Sequence, residues 1–167
     1  ARRPGAGNSF RGFTSDARCK PFEGKGELGH LDCIGPEQFV KDVFMDSDTD
    51  LMVLSFVPST YAGEPLKIEE AEATVQIVEK LDGTHRLYLH GRVNPNQPGD
   101  LERMDVLAQG HKVAAFKTYT QYGPGGKGYW LDDDVGLAMI ERARKLGVRN
   151  IAVHKGLAFG PRSYEHS

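Results

Sequence analysis

The sequence is poor in every feature that would tie it to a polyanion, a bilayer or a disulfide framework. Its net charge is only −2 over 167 residues, its pI is near 6.3, and neither sign gathers in a tail, so no broad cationic surface is available for nucleic acid. No run approaches the roughly 18 apolar residues that a membrane-crossing helix needs. The only two cysteines, Cys19 and Cys33, lack the paired spacing of a zinc finger or a redox motif and read as free thiols of a reducing cytoplasm. Arg2-Arg3 is followed by Pro4-Gly5-Ala6-Gly7-Asn8, where a twin-arginine signal would need an apolar stretch. The expectation is a cytoplasmic protein with no nucleic-acid or membrane partner. At 39% hydrophobic and 26% charged, it has an ordinary composition and enough length to bury one core.

What is present is a recurring unit. Leu51-Met52-Val53-Leu54-Ser55-Phe56, Arg86-Leu87-Tyr88-Leu89-His90-Gly91-Arg92, Val113-Ala114-Ala115-Phe116-Lys117-Thr118-Tyr119 and Ile151-Ala152-Val153-His154-Lys155-Gly156 each begin apolar and end polar. Helical periodicity separates them, and strand alternating with helix predicts an α/β fold with a mainly parallel sheet. Residues 1–35, rich in Gly, Arg and Lys, read as an irregular N-terminal segment, and 36–167 as the βα domain. Pro36 opens a helix with a stripe of Phe39, Val40, Val43 and Phe44 that ends near Asp46-Ser47-Asp48. A strand over 51–57 has the continuous apolar character of one covered on both faces. A helix over 69–81 buries Ala71, Val75, Val78 and Leu81, and a strand follows over 86–93. The next helix carries Leu101, Met104, Leu107 and Ala108 and stops at Gly110, before a strand over 113–120.

A Gly-rich stretch, 123–128, then precedes Asp132-Asp133-Asp134. These carboxylates suit the first turn of a helix with Val135, Met139, Ala143 and Leu146 on its buried face. A fourth strand starts at Asn150. This order allows an open doubly wound sheet or part of an eightfold barrel. A complete (β/α)8 barrel takes about 200 to 250 residues. The expectation is therefore a partial (β/α)8 TIM barrel of about four βα units with parallel strands, a fragment whose open sheet edges would aggregate or pair as a homo-oligomer.

Polar residues at strand ends are the candidates for chemistry. His154 can offer a neutral imidazole to Zn²⁺, or serve as polar lining. Lys117, between Phe116 and Tyr119, can act as a base or Schiff-base amine or be carbamylated, or it can be an ion-paired lysine at the rim. His90, Arg92 and Asn94 alternate on one face. Arg92 there can grip a substrate carboxylate, or all three can form an internal polar brace. The letters Gly123-Pro124-Gly125-Gly126-Lys127-Gly128 satisfy G-x-G-x-x-G. Pro124 and the intervening Tyr129-Trp130 separate them from the helix, so they read as a mobile loop over the site and not as a dinucleotide fingerprint.

Four segments together resemble the amidohydrolase-2 (amidohydrolase-related) family. They are Phe44-Met45-Asp46-Ser47-Asp48-Thr49, His90-Gly91-Arg92-Val93-Asn94-Pro95, Phe116-Lys117-Thr118-Tyr119-Thr120 and Gly147-Val148-Arg149-Asn150-Ile151-Ala152-Val153-His154-Lys155-Gly156. The resemblance spans residues 30–167. It implies a metal-dependent barrel of hydrolases and non-oxidative decarboxylases, whose second to fifth strands are the four above, with His154 as the fifth-strand ligand of a divalent metal, zinc first. The first-strand His-x-His pair of that family occurs nowhere in the chain. On this resemblance the function is hydrolysis of a C–N or C–O acyl bond of a small molecule. Lys117 is catalytic, and His90, Arg92, Asn94, Tyr119 and Lys155 contact the substrate. The alternatives are decarboxylation of an aromatic or unsaturated acid, or a catalytically incomplete barrel piece.

Overall fold

The computed structural model describes residues 34–155, so residues 1–33, with both cysteines, and residues 156–167 lie outside the described part. Pro36 takes the first position of α1 (Pro36–Val40), where its missing N–H leaves no bond unmade. The chain runs on through a wider π turn, Lys41–Met45, and Val40 and Phe44 are buried as the apolar stripe predicts. In α2 (Ile68–Asp82) the Glu70 carboxylate accepts the Lys67 backbone N–H at 2.9 Å, closing the helix start. Gly83, at φ 73°, ends it in the left-handed conformation. Leu81 falls off the buried stripe and is exposed.

The strands β1 (Met52–Leu54), β2 (Leu87–Arg92), β3 (Ala115–Tyr119) and β4 (Ile151–His154) are shorter than the apolar runs that hold them. They form a four-stranded parallel sheet in the order β1-β2-β3-β4, compatible with part of a (β/α) barrel. The double coverage expected of β1 is not met among the described residues. Leu54 is buried, but Val53 and Leu51 are exposed.

α3 (Asp100–Gln109) and α4 (Asp134–Lys145) complete the described elements. The acidic run before α4 is placed differently from the sequence expectation. Only Asp134 lies in the first turn, while Asp133 takes the N-cap position and its carboxylate turns back to accept the Trp130 N–H at 2.8 Å. Arg142, Arg144 and Lys145 occupy the last turn, where the carbonyl ends favour positive charge.

The described residues group into two compact units, 34–54 with 61–88 and 55–60 with 89–155. In the first, α1 packs on α2 around Val40, Phe44, Val75 and Val78, and the Arg86 guanidinium lies 4.8 Å from the Phe44 ring. In the second, α3 presses on the backbone of β2. A Cβ at Gly91 would stand 3.1 Å from Leu107 and 3.3 Å from Phe116. Met104, Leu107, Phe116, Tyr129 and Met139 are fully buried there, and Arg142 of α4 donates to Asp105 of α3 through Nε at 2.7 Å.

Candidate functional site

Parallel pairing decides which side chains meet. In register, His90 pairs with Ala115 and Arg92 with Lys117, and on the other side of β3 Lys117 pairs with Ala152 and Tyr119 with His154. Residues alternate between the two faces of a strand. Phe116 and Thr118, both 0% exposed, turn to the face on which α3 packs, so Lys117 and Tyr119 turn to the other. His90, Lys117, Tyr119 and His154 thus share one face of three successive strands, Tyr119 and His154 at the C-terminal ends of β3 and β4, and Lys117 and His90 within β3 and β2.

Lys117, Tyr119 and His154 meet on that face. The Tyr119 ring stacks on His154, with centroids 4.8 Å apart and planes at 28°, and Tyr122 meets Tyr119 edge-on at 5.9 Å. Lys117 Nζ lies 4.8 Å from the Tyr119 ring centroid, within range of a cation–π attraction. The Tyr119 hydroxyl donates to the Phe56 carbonyl at 3.0 Å, which fixes the segment that follows β1. In that segment Ser55 Oγ lies 2.9 Å from His90 Nδ1.

Partial burial sets the electrostatics. It lowers the Lys117 pKa from the ordinary lysine value, because the ammonium loses hydration. Burial also lowers the His90 pKa, with the Lys117 charge adding in the same direction, and both favour the neutral ring. Burial raises the Tyr119 phenol, with a smaller contribution from Tyr122. Grouped titratable side chains shifted by desolvation are a mark of functional sites.

Arg92 and Asn94 make the contacts of an internal brace. The Arg92 side chain, 3% exposed, donates through Nη1 at 2.6 Å and Nη2 at 3.3 Å to an equally buried Asp100 at the start of α3. Asp100 also accepts the Asn94 N–H at 2.9 Å and Gln97 Nε2 at 3.0 Å. Asn94 Nδ2 donates to the Tyr122 carbonyl at 2.7 Å, so the network links β2 to the turn after β3. Lys155, exposed beyond β4, lies 5.8 Å from the Trp130 ring.

The Gly-rich stretch is tied down. Tyr122 N–H donates to Tyr119 O at 3.1 Å, Tyr129 N–H to Thr120 O at 2.9 Å, and Asn96 Nδ2 to Gly128 O at 3.2 Å. Tyr129 is anchored further by a hydrogen bond to Thr118, and its buried phenol is pushed up to about 12.

A divalent metal needs more donors than this face offers. Zinc takes three or four N, S or O ligands. Among the described residues no group of three or more His, Cys, Asp and Glu side chains could hold a metal ion. His154 is a single imidazole beside a cation and a phenol, so the described residues do not by themselves fit a metal.

Sequence reasoning missed Ser55, Tyr122 and Asp100. Ser55 carried the same signal as the others, a polar residue where an apolar run gives out, whereas Asp100 could be found only through the pairing that the fold creates. Comparison of the chain with protein-family models, with curated proteins and with solved structures finds no match.

Proposed function

We propose that this chain carries the working strand ends of an amidohydrolase-related (β/α)8 barrel, a cytoplasmic enzyme that hydrolyses a C–N or C–O acyl bond of a small molecule. The observation that supports this reading is that His90, Lys117, Tyr119 and His154 share one face of successive parallel strands, with Tyr119 and His154 at the C-terminal ends, the side on which barrel enzymes place their chemistry. Lys117 brings positive charge to a partly desolvated, aromatic-walled position, where it stabilises the oxygen of an acyl group under attack. His90 and Tyr119 orient the substrate beside it, and Lys155 adds charge at the rim. Arg92 and Asn94 act through the Asp100 brace, holding the ends of β2 and β3 in place. His154 is the one candidate ligand for a divalent metal, zinc first, with its companion donors supplied from outside residues 34–155.

One observation favours a second reading. A lysine over the Tyr119 ring, with that ring stacked on His154, suits a planar carboxylate, as decarboxylation of an aromatic or unsaturated acid requires. Elemental analysis of the purified natural protein, followed by assays on amides, lactones and aromatic acids, tests both readings. Stoichiometric zinc and acyl hydrolysis, both lost in His154→Ala, are the expected result. Carbon dioxide release with no hydrolysis selects the second reading. Unchanged metal content and full activity in His154→Ala would overturn both.

A further inference from the structure

We propose that Ser55 is a nucleophile and His90 its general base, giving this face an acyl-transfer chemistry of its own toward small aryl esters. The Ser55 side chain is exposed one residue beyond β1, and its Oγ lies 2.9 Å from His90 Nδ1 on β2, the distance at which a base takes a hydroxyl proton. With the proton of the neutral ring on Nε2, Nδ1 presents its lone pair to the hydroxyl. Burial and the neighbouring Lys117 charge favour that neutral form. The nucleophile is also held in place, since Tyr119 donates to the carbonyl of Phe56, the next residue, and sets its aromatic ring beside the segment. That ring, stacked on His154, gives the site an aromatic wall against which an aryl group packs, and Lys117, on the same face, is the charge available to an oxyanion.

The chemistry balances without a further reagent. Ser55 Oγ bonds to the acyl carbon while its proton passes to His90 Nδ1 and the carbonyl electron pair moves to oxygen. When the carbonyl re-forms, the ester C–O bond breaks and the departing phenol oxygen takes the proton from Nδ1. Water then gives a proton to the same nitrogen as its oxygen bonds to the acyl carbon, the acyl carbon–Oγ bond breaks, Oγ takes the proton from Nδ1, and the acid leaves with Ser55 restored.

This inference goes beyond the hydrolase reading and needs no donor outside residues 34–155, so the two stand or fall separately. The test is labelling with an alkyl fluorophosphonate, in which an Oγ–P bond forms, the P–F bond breaks and fluoride leaves, with the adduct located by peptide mass spectrometry. The expected adduct is on Ser55. It is absent in Ser55→Ala, unchanged in Ser59→Ala, unchanged by a metal chelator, and formed about 100-fold more slowly in His90→Gln. Circular dichroism establishes that each variant is folded. A folded wild type that yields no Ser55 adduct, a His90→Gln protein labelled as fast as wild type, or labelling abolished by the chelator would each overturn the proposal.

Discussion

Removing the Asp100 carboxylate should be among the most damaging single substitutions in the described part of the chain. Asp100→Ala removes the carboxylate that pairs with an Arg92 guanidinium whose side chain is 3% exposed, and it also abandons the Asn94 N–H and Gln97 Nε2 donors. Breaking a buried pair by deleting one member costs about 3 to 5 kcal/mol, because the surviving charge stays desolvated. Set against a typical domain stability of about 5 to 15 kcal/mol, that is about a fifth or more of the total. For a chain of this length it corresponds to a fall in Tm of about 6 to 20 °C. The companion Arg92→Met/Asp100→Leu protein removes both charges, and most of the stability should return. The shortfall should be about 1 to 2 kcal/mol, from the Asn94 N–H and Gln97 Nε2 that lose their Asp100 acceptor. Trp130, the only tryptophan, belongs to the same compact unit, so urea unfolding followed by its fluorescence reads the right transition. A loss below about 1 kcal/mol in Asp100→Ala, or a double variant no more stable than the single one, would refute the reasoning.

Three further outcomes are expected. Gly136→Ala, which in an ordinary helix interior gains about 1 kcal/mol, should here lose about 1 to 3 kcal/mol. The new Cβ would stand 2.5 Å from the carbonyl oxygens of Trp130 and Leu131, so a thermal melt shifted upward would contradict it. Because the folded-state pKa of His90 lies below its unfolded value of about 6.5, the unfolded chain binds the proton first as pH falls. The His90 contribution is therefore fully present above about pH 6.5 and declines below it. His90→Gln should flatten that part of the stability profile, and an identical slope in the variant would exclude the assignment. Lys117, with its pKa lowered by burial, should show in competitive acetylation across a pH series an apparent pKa below the ordinary lysine value, and an ordinary value would remove the desolvated pocket from the argument.

The helices were legible because their information is local. The stripe of Ala71, Val75 and Val78 and the stop at Gly83 place α2 to within a residue of its observed span, since periodicity and capping act over neighbouring turns. For β2 and β3 the face was legible too, because His90 and Lys117 are each flanked by buried residues. What could not be read was pairing at a distance. Ser55 meets His90 across 35 residues, and Arg92 meets Asp100 around a turn whose geometry only the folded chain defines. Arg92 and Asn94 carried the letters of a carboxylate grip and of a brace equally well, and the choice between them lay in whether an acidic partner came within reach. Asp133 shows the same limit on a smaller scale. Its residue type predicts a helix start, but whether its carboxylate turns into the helix or back to Trp130 depends on a turn that propensity does not encode.

The period of two along β3 has an evolutionary consequence. Phe116 and Thr118 serve the interior, and Lys117 and Tyr119 serve the opposite face, so the two sets can change under separate selection. Exchanging the residues at 117 and 119, together with 90 on the adjacent strand, would remake the candidate site while the interior stayed constant. An insertion or deletion of one residue before Phe116 would exchange the two sets at a stroke. Lineages descended from such a chain should therefore diversify by substitution at alternate positions and keep the length of this strand fixed.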